Sequence, residues 1–481
     1  MLATKKSRLF VIFLFTAAAF LRLWGLGNFD ISPDEHHFIH EAYRFVTGDP
    51  YVVPRHHPFR HGVPFVGHPF LGGDLMIIMF KVFGPSVTTG RLVMALSNLI
   101  AVLGTYILGK ILFGPRVALT ALLLLVFLPH DVRYGRDAHL DPLLEATLLF
   151  AAISFWKVLN SQKLILGLWL GAASALVWAT KINGPFLFVF YGLALAAFTR
   201  IKNFPLWAKN HWQQLIIASV SFVIIFYLLV SPNAYFDALA NPADPDIAGI
   251  NKVLSQFVSD FYSFMFQRLI PHLYSFPFAL LVPFGIYVSL KHRKPQHLFL
   301  LSLFLVYSHI FITHVGHSGE YGYVTLNPYF SLFAALALSR LHSPLRKIYI
   351  FTVLIFFTPL LILNGLRINI GPWAQTTMFN DSNFRYGQTT YRDAVKAINN
   401  LPESPKVLWI KNGDRNVPMM DIRSGVELWP FFELDTVDTV LLANPLFKDE
   451  LVASGNFRQY QELSYKDKDN LWILRRESRG K

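Results

Sequence analysis

The sequence predicts a polytopic α-helical membrane protein that ends in a small soluble region. Of its 481 residues, 53% are hydrophobic and 15% are charged, and the mean hydropathy is +0.40. This composition is typical of chains that cross a bilayer many times and excludes an ordinary soluble enzyme. Basic cytoplasmic loops explain the net charge of +13, so we expect no nucleic-acid partner. The chain has no Cys, which excludes disulfides and thiolate metal sites.

Apolar runs of suitable length predict about eleven membrane spans. The first covers Leu9–Leu26. Its basic start resembles that of a signal peptide, but its end, Trp24-Gly25-Leu26, lacks an A-x-A cleavage site, so we expect an uncleaved span. The others lie near Leu92–Leu112, Val117–Leu128, Leu143–Trp156, Leu164–Thr180, Pro185–Phe198, Leu215–Val230, Phe276–Leu290, Leu298–Ile312, Pro328–Leu338 and Ile348–Leu363.

The cations concentrate in alternate connections between these runs, which predicts the orientation. The positive-inside rule places the N-terminus in the cytoplasm, and an odd number of spans then places the C-terminal tail outside. The connections concerned contain Lys5, Lys6, Arg8, then Lys110 and Arg116, Lys157 and Lys163, Arg200, Lys202 and Lys209, Lys291 to Lys294, and Arg340, Arg346 and Lys347.

Two regions are predicted to lie outside the membrane on the outer face. The first outer loop, residues 27–90, contains an amphipathic or re-entrant helix over Phe70–Phe83 that we expect at the interface. Residues 1–368 would form the membrane domain, and residues 369–481 a small extracytoplasmic α/β domain. In that domain we expect a helix over Tyr391–Asn399 and strands at Val407–Ile410, Thr439–Leu442 and Leu471–Leu474.

The acidic pair Asp34-Glu35 lies a few residues after the end of the first span. Carboxylates at a membrane boundary can meet a water-soluble acceptor on one side and a lipid-borne substrate on the other. An interfacial acidic turn without a chemical role is the alternative at this point.

Two further charged elements fall on the same predicted face. The turn between His130 and Asp141 carries three acids and two arginines, and it is either part of a site or a salt-bridged helix cap. Lys181 lies outside against the charge bias, which a bound phosphate would explain, as would snorkelling towards lipid headgroups. A carboxylate could then take a proton from an acceptor hydroxyl while cations neutralise a departing phosphate. No P-loop, G-x-S-x-G, H-E-x-x-H or Rossmann fingerprint is evident.

The order of these features resembles the C-type glycosyltransferases, whose fold is called GT-C. Within this class, the chain resembles in particular the bacterial relatives of the dolichyl-phosphate-mannose–protein mannosyltransferases and the lipid A aminoarabinose transferase. Six motifs of these enzymes are matched in order along the chain. The acidic D-E motif corresponds to Asp34-Glu35, K/H-P-P-L to His68-Pro69-Phe70-Leu71, and F-G…R-L-x-S to Phe83-Gly84 with Arg91-Leu92 to Ser97. L-F-G-x-R corresponds to Leu112–Arg116, Y-x-R-x-A-x-x-D to Tyr134–Asp141, and G-x-x-x-x-L-x-x-x-T-K to Gly171–Lys181. A late H/R-x-x-R-Y motif is mirrored only in part, because His317–Tyr323 lacks the arginine.

The resemblance implies transfer of a hexosyl or pentosyl group from a polyprenyl-phosphate carrier to an acceptor, with inversion at the anomeric carbon. The acceptor would be a glycolipid, lipid A, a polysaccharide or a protein hydroxyl, and the active site would lie on the outer face of the plasma (inner) membrane. The implied catalytic residues are Asp34 as base, Glu35 and Asp141, and the implied ligands of the carrier phosphate are Lys181, Arg136 and His68. Tyr134, His139, Glu320 and Tyr321 are further candidate contacts to acceptor or donor.

No cofactor is expected, although a divalent metal stays open. His36 and His40 stand four residues apart beside Glu41, a spacing that permits zinc, but a phosphate-binding role or ordinary loop histidines explain them better. The metal is left open because oligosaccharyltransferases of the same fold use divalent cations.

Two other classes of protein compete with the transferase. A transporter or flippase of a lipid-linked glycan could use the same outer-face charges, but it should carry them near the bilayer midplane on broken helices. A sensor whose external tail is the functional part would not need so many spans.

Overall fold

A computed structural model describes residues 5–27, 35, 38–39, 42–43, 46, 71–181, 183–199, 203–230, 270–313, 320–366, 406–410, 427–428, 439–442, 460–464 and 472–476. The helices are α1 (Lys5–Leu23), α2 (Leu71–Phe83), α3 (Val87–Phe113), α4 (Pro115–Phe127), α5 (Pro129–Tyr134), α6 (Asp141–Leu159), α7 (Leu164–Thr180), α8 (Phe186–Thr199), α9 (Phe204–Leu229), α10 (Phe276–His292), α11 (Pro295–Thr313), α12 (Asn327–Ser339) and α13 (Ser343–Leu360). A 3₁₀ helix covers Glu320–Leu326, and a π-helical turn covers Leu361–Gly365.

Local sequence explains several of the helix ends. Ser86 precedes α3 and its hydroxyl accepts a hydrogen bond from the Thr89 backbone N–H at 3.0 Å, which caps the helix. Gly114 separates α3 from α4 with a φ of 88°, a conformation that glycine adopts without strain. Pro115 then starts α4 and Pro129 starts α5, where the missing proline N–H costs no helical hydrogen bond.

Contacts between helix ends define two ends of the bundle. Arg22, late in α1, reaches the carbonyls of Leu125 and Val126, late in α4. Asn98, in the first half of α3, donates to Glu145, near the start of α6. We call this end the site end. The opposite end, where α3 and α6 finish and α4 and α7 begin, carries Lys110, Arg116, Lys157 and Lys163, and we call it the basic end.

The helices in the second half of the helical region run between the same two ends. Tyr274, just before α10, donates to Asn327, the first residue of α12, at 2.8 Å. Asn327 in turn lies against α5, and Asn364 after α13 donates to the His272 carbonyl at 2.7 Å. The start of α10, the start of α12 and the end of α13 therefore belong to the site end.

Every predicted apolar run lies largely on a helix. Four of the described helices are long and apolar enough to cross a membrane: Val87–Phe113, Asp141–Leu159, Phe204–Leu229 and Ser343–Gly365. Five shorter apolar helices are Pro115–Phe127, Ile165–Thr180, Phe186–Thr199, Phe276–His292 and Pro295–Ser308. A mostly helical membrane fold is thus confirmed, while the number of spans and their direction stay predictions.

Close backbone approach fixes how α7 packs on α9. A Cβ atom at Gly167 would lie 2.4 Å from the Gln214 carbonyl oxygen, and one at Gly171 would lie 2.1 Å from that of Ala218. Both distances are too short for any side chain, so the Gly-x-x-x-Gly spacing of α7 permits this contact. The two helices run parallel, because both contacts advance together along the chain.

The predicted helix in the first outer loop is present as α2. It buries Met76, Ile77 and Phe80 against the helical core and exposes Ile78 and Val82. Its placement at a membrane interface stays a prediction.

Five strands lie in the C-terminal region: β1 (Lys406–Ile410), β2 (Glu427–Leu428), β3 (Thr439–Leu442), β4 (Tyr460–Ser464) and β5 (Trp472–Arg476). They form one mixed sheet in the order β2-β1-β3-β5-β4, with β1 parallel to β2 and β3, and β5 antiparallel to β3 and β4. The predicted strands coincide with β1, β3 and most of β5. The helix predicted at Tyr391–Asn399 lies outside the described residues, and the boundary at residue 369 stays a prediction.

Candidate functional site

The site end of the bundle gathers charged residues from the first outer loop, α3, α5, α6 and α7. Glu35, Arg91, Arg136 and Asp141 each expose at most 1% of their surface. Buried charges are costly unless they are paired and hydrogen-bonded, so their partners decide what each can do.

Glu35 and Arg91 form a fully buried, two-pronged ion pair. Arg91 donates from Nε to Oε1 of Glu35 at 2.6 Å and from Nη2 to Oε2 at 2.8 Å, and both side chains have 0% exposure. The remaining guanidinium nitrogen, Nη1, donates to the Leu26 carbonyl at 2.8 Å. Glu35 also accepts from the Ala138 backbone N–H at 2.8 Å. The pair therefore ties the first outer loop, the end of α1, the start of α3 and the 135–140 turn together.

These contacts keep Glu35 ionised. Burial alone raises its pKa, but the Arg91 charge and hydrogen bonds, the nearby His139 and the Ala138 N–H lower it, and the pKa falls to about 2. A carboxylate held this strongly in the charged form is a poor proton acceptor at neutral pH. The geometry of Glu35 therefore suits an anchor better than a base.

Asp141 and Lys181 form a second and more open pair. Lys181 Nζ donates to Asp141 Oδ1 at 2.8 Å, and the exposed fractions are 14% for the lysine side chain and 2% for the aspartate. Asp141 is the first residue of α6 and Lys181 follows the last residue of α7, so two adjacent helix ends present the pair. A single contact with an accessible ammonium leaves room for an anion to share the lysine.

Arg136 lies in the same turn as the anchoring Ala138. Its Nη2 donates to the Trp24 carbonyl at the end of α1, and its side chain is 1% exposed. Arg133, three residues earlier, donates to the Asn364 carbonyl at 3.2 Å, which ties α5 to the end of α13. The turn is thus fixed from both sides.

A network of buried polar side chains from neighbouring helices holds α5 in place. Asp131 accepts from Nη2 of Arg22 and, at 3.0 Å, from Nδ2 of Asn327, while Asn98 accepts from Arg22 Nε. Asn98 also donates to Glu145 at 2.8 Å. Burial raises the pKa of Asp131 against the opposing effect of the Arg22 charge. The network joins α1, α3, α5, α6 and α12.

Aromatic rings extend this support. The His130 ring stacks on Tyr274 with centroids 4.8 Å apart, and it lies 4.9 Å from the ring of Tyr134. The Arg133 guanidinium lies over the Tyr134 ring, with its Cζ atom 5.3 Å from the ring centroid. Tyr134 is 6% exposed, so its described surroundings are those of a packing residue.

Gly135 allows α3 to come close to the charged turn. A Cβ at this position would lie 2.5 Å from the Asp131 carbonyl oxygen and 2.6 Å from Cγ of Asn98. Its φ of −64° is ordinary for any residue, so the requirement is for space alone.

The predicted residues divide into those that the structure brings together and those it does not describe. Glu35, Tyr134, Arg136, His139, Asp141 and Lys181 all lie at the site end. Asp34, His68, His36, His40 and Glu41 lie outside the described residues. Glu320 and Tyr321 begin the 3₁₀ helix, but their side chains lie outside the described part of the chain.

Reasoning from sequence missed the residues that hold the site. Arg91 is recognisable only as part of a motif, and nothing local gives Arg22, Asn98, Asp131, Glu145 or Asn327 a specific role. Arg22, Arg91 and Glu145 are nevertheless ionisable residues within or beside apolar runs, and such residues carry a function or a partner by default. That signal was available.

Among the described residues, no group of three or more His, Asp or Glu side chains is arranged to hold a metal ion. The candidate ligands His36, His40 and Glu41 lie outside this set of residues, so a metal at those side chains stays an open prediction.

Comparison with known proteins identifies the fold. Over nearly the whole of both chains, 98% of each, the structure matches ArnT from Cupriavidus metallidurans bound to undecaprenyl phosphate, with a TM-score of 0.60 and 15% identity. The chain has the GT-C fold. The apo form of the same ArnT matches this GT-C chain with a TM-score of 0.58 and 16% identity, over 96% of this chain and 97% of ArnT. AglB, an oligosaccharyltransferase from Archaeoglobus fulgidus in complex with an inhibitory peptide and a dolichol-phosphate, matches with a TM-score of 0.53 and 13% identity, over 98% of this chain and 74% of AglB.

The sequence itself matches a family model. Residues 67–236 of the GT-C chain match the model described as dolichyl-phosphate-mannose-protein mannosyltransferase. That segment contains the motifs from His68 to Lys181, so the resemblance inferred from them is confirmed, whereas Asp34-Glu35 precedes it. No curated protein matches the chain significantly.

Proposed function

We propose that this protein transfers a sugar from a polyprenyl-phosphate carrier to an acceptor hydroxyl, with inversion at the anomeric carbon. The observation that carries the proposal is the Asp141–Lys181 pair, which places a partly exposed ammonium at the site end of a GT-C fold. The lipids bound in the similar structures, undecaprenyl phosphate in ArnT and dolichol-phosphate in AglB, suggest the chemical class of the carrier.

Asp34 acts as the base in this proposal. It precedes Glu35 directly, and Glu35 is held by Arg91 and by the Ala138 N–H. This anchor fixes the chain beside Asp34 while the low pKa of Glu35, about 2, disqualifies Glu35 itself from accepting the proton. Glu35 is therefore a positioning residue, and the base role falls to its neighbour.

The reaction is a single displacement. Asp34 takes the proton from the acceptor hydroxyl as its oxygen attacks the anomeric carbon from the face opposite the phosphate. The bond between the anomeric carbon and the phosphate oxygen breaks, and the carrier leaves as polyprenyl phosphate. Lys181, Arg136 and His68 neutralise the growing charge on that phosphate, which lowers the barrier. Asp141 orients Lys181 and the bound sugar, and Tyr134, His139, Glu320 and Tyr321 are the further candidate contacts to acceptor or donor.

The proposed location is the outer face of the plasma (inner) membrane. The cations of the basic end would then face the cytoplasm, as the positive-inside rule expects. The site end would face outwards, where nucleotide sugars are absent and a lipid-linked donor is needed. Residues 369–481 would lie on the same side as a small domain.

The decisive experiment compares Asp34→Asn with wild type in purified, detergent-solubilised protein. Transfer from a panel of polyprenyl-phosphate sugars to glycolipid, lipid A and hydroxyl-bearing peptide acceptors is measured together with binding of undecaprenyl phosphate. We expect turnover to fall at least about a thousandfold while carrier binding changes less than about threefold, because the base contacts the acceptor proton and not the phosphate. Asp74→Asn, an acid on α2, is the matched control.

Two outcomes would contradict the proposal. Wild-type turnover in Asp34→Asn would rule out Asp34 as the base. The absence of transfer with any donor, combined with movement of a lipid-linked glycan across the membrane of vesicles, would favour the transporter.

Activity is expected to survive EDTA. Loss of activity with EDTA and its return with a divalent ion would add a metal to the mechanism.

A further inference from the structure

The basic end of the bundle carries a cluster of cations that has no acidic partner among the described residues. Lys291, Lys294 and Arg340 are exposed, and none of them takes part in the ion pairs that join two described side chains, Arg22–Asp131, Arg91–Glu35 and Lys181–Asp141. They lie close enough to His292 for their charges to act on its ring. The cluster lies at the opposite end of the helices from Asp141 and Lys181.

Several helix ends build this cluster. Lys291 and His292 end α10, Lys294 precedes α11, and Arg340 follows α12. At its base, His297 of α11 is 4% exposed and its Nδ1 lies 3.2 Å from the Ser289 hydroxyl of α10. The His297 ring lies 5.1 Å from Phe113 at the end of α3 and 5.6 Å from His292. The floor of the cluster is therefore packed and fixed.

Helix dipoles do not balance the charge. The C-terminal ends of α10 and α12 each contribute roughly half a negative charge, and the N-terminal end of α11 beside Lys294 contributes roughly half a positive charge, so the helix ends together supply about half a negative charge. The three full positive charges of Lys291, Lys294 and Arg340 exceed this by about two and a half. An anion with one or two negative charges would complete the balance.

The surface beside the cluster is apolar. Tyr287 and Leu290, in the last turns of α10, are 55% and 53% exposed, and Leu345 and Ile348, at the start of α13, are 54% and 62% exposed. In a membrane protein such side chains contact acyl chains, and the cations beside them lie at headgroup level. The anion that fits both features is the phosphate of a lipid.

We propose that Lys291, Lys294 and Arg340, with His292 above His297, form a binding site for the phosphate headgroup of an anionic phospholipid at the basic end. Basic pockets between membrane helices bind such headgroups through charge and hydrogen bonds. The site is separate from the proposed transfer reaction and uses none of its residues. Bound lipid would hold the ends of α10, α11 and α12 together.

The test measures lipid binding to the purified full-length protein by native mass spectrometry and by titration in detergent micelles. The probes are phosphatidylglycerol as the anionic lipid, phosphatidylcholine as the zwitterionic lipid, and inorganic phosphate as competitor. The variant is Lys294→Ala/Arg340→Ala, and the matched control is Lys157→Ala/Lys163→Ala, which also removes two cations from the basic end.

We expect wild type to prefer phosphatidylglycerol and the cluster variant to bind it at least about tenfold more weakly, since each surface cation contributes measurably to such binding. The control should bind within about twofold of wild type. Equal loss in both variants, or no preference for the anionic lipid, would overturn the proposal. Displacement of phosphatidylglycerol by millimolar inorganic phosphate would assign the cluster to a soluble anion instead.

Discussion

The two acid–base pairs at the site end have the same chemistry but opposite settings. Glu35–Arg91 is two-pronged, with both side chains at 0% exposure and further hydrogen bonds to Leu26 and Ala138. Asp141–Lys181 has one contact, and its lysine side chain is 14% exposed. A saturated pair can hold parts together but cannot exchange partners, whereas an open pair can. In the sequence alone, Glu35 and Asp141 are both candidate catalytic acids. The difference in exposure and hydrogen bonding identifies Glu35–Arg91 as a structural anchor and Asp141–Lys181 as a pair that can bind a ligand.

The largest expected effect comes from removing one partner of the buried pair. Arg91→Ala leaves the Glu35 carboxylate buried without its counter-ion, and this typically costs about 3–5 kcal/mol of folding free energy. We expect a large fall in the thermal unfolding temperature in detergent and loss of transfer activity. The double variant Glu35→Leu/Arg91→Met should recover much of the stability but not the activity. Activity in the double variant would mean that the pair does not position the base.

The second effect concerns pH and the same pair. The folded-state pKa of Glu35 is lowered from 4.5 to about 2, so its contribution to stability is fully present above about pH 4.5 and is lost as the pH falls towards 2. Thermal unfolding of wild type and Glu35→Gln, followed from about pH 7 to about pH 3, should give curves that converge on the acidic side. A constant difference across this range would show that the pKa of Glu35 is the same in the folded and the unfolded protein.

A smaller effect is expected at the open pair. Lys181→Ala should weaken binding of undecaprenyl phosphate about tenfold or more, since a charged hydrogen bond contributes about 1.5–3 kcal/mol and Asp141 would then repel the phosphate. Lys163→Ala is the matched control, because it removes a lysine from the other end of the same helix, α7. Unchanged affinity in Lys181→Ala would remove the phosphate contact.

The smallest effect should be that of Asp141→Asn on stability. Asparagine keeps an oxygen that can accept from the Lys181 ammonium, whose side chain is 14% exposed, so the free energy of unfolding should fall by only about 1 kcal/mol while transfer falls much further. A destabilisation comparable to that of Arg91→Ala would place Asp141 in the anchoring class and erase the contrast between the pairs.

The fold was largely accessible from the sequence because membrane spans are long apolar runs. Each predicted run falls on a helix, and β1, β3 and most of β5 coincide with predicted strands. The site was accessible only in part. Arg136, Asp141 and Lys181 could be placed on one face by counting connections. The pairing of Glu35 with Arg91, 56 positions apart in the chain, depends on how α3 meets the first outer loop, and no local spacing encodes it.

The buried network shows the same limit. Asp131 belongs to the charged turn, but its partner Asn327 lies 196 positions away. Contacts of this kind arise from the packing of distant helices, so they become visible only when the helices are assembled. The ionisable residues within apolar runs still indicated where such contacts had to exist.

The close packing at Gly135 means that the residue type at this position depends on the residue type at position 98 of α3. Any side chain there would collide with Asn98, and Asn98 joins Arg22 to Glu145. A smaller residue at position 98 would relieve the contact with the Asn98 side chain but would break the link to Glu145, and the Asp131 carbonyl would still have to shift before alanine could fit at position 135. Relatives that carry a larger residue at position 135 should therefore differ at positions 98 and 145 together, and this three-way covariation can be sought in an alignment of related chains.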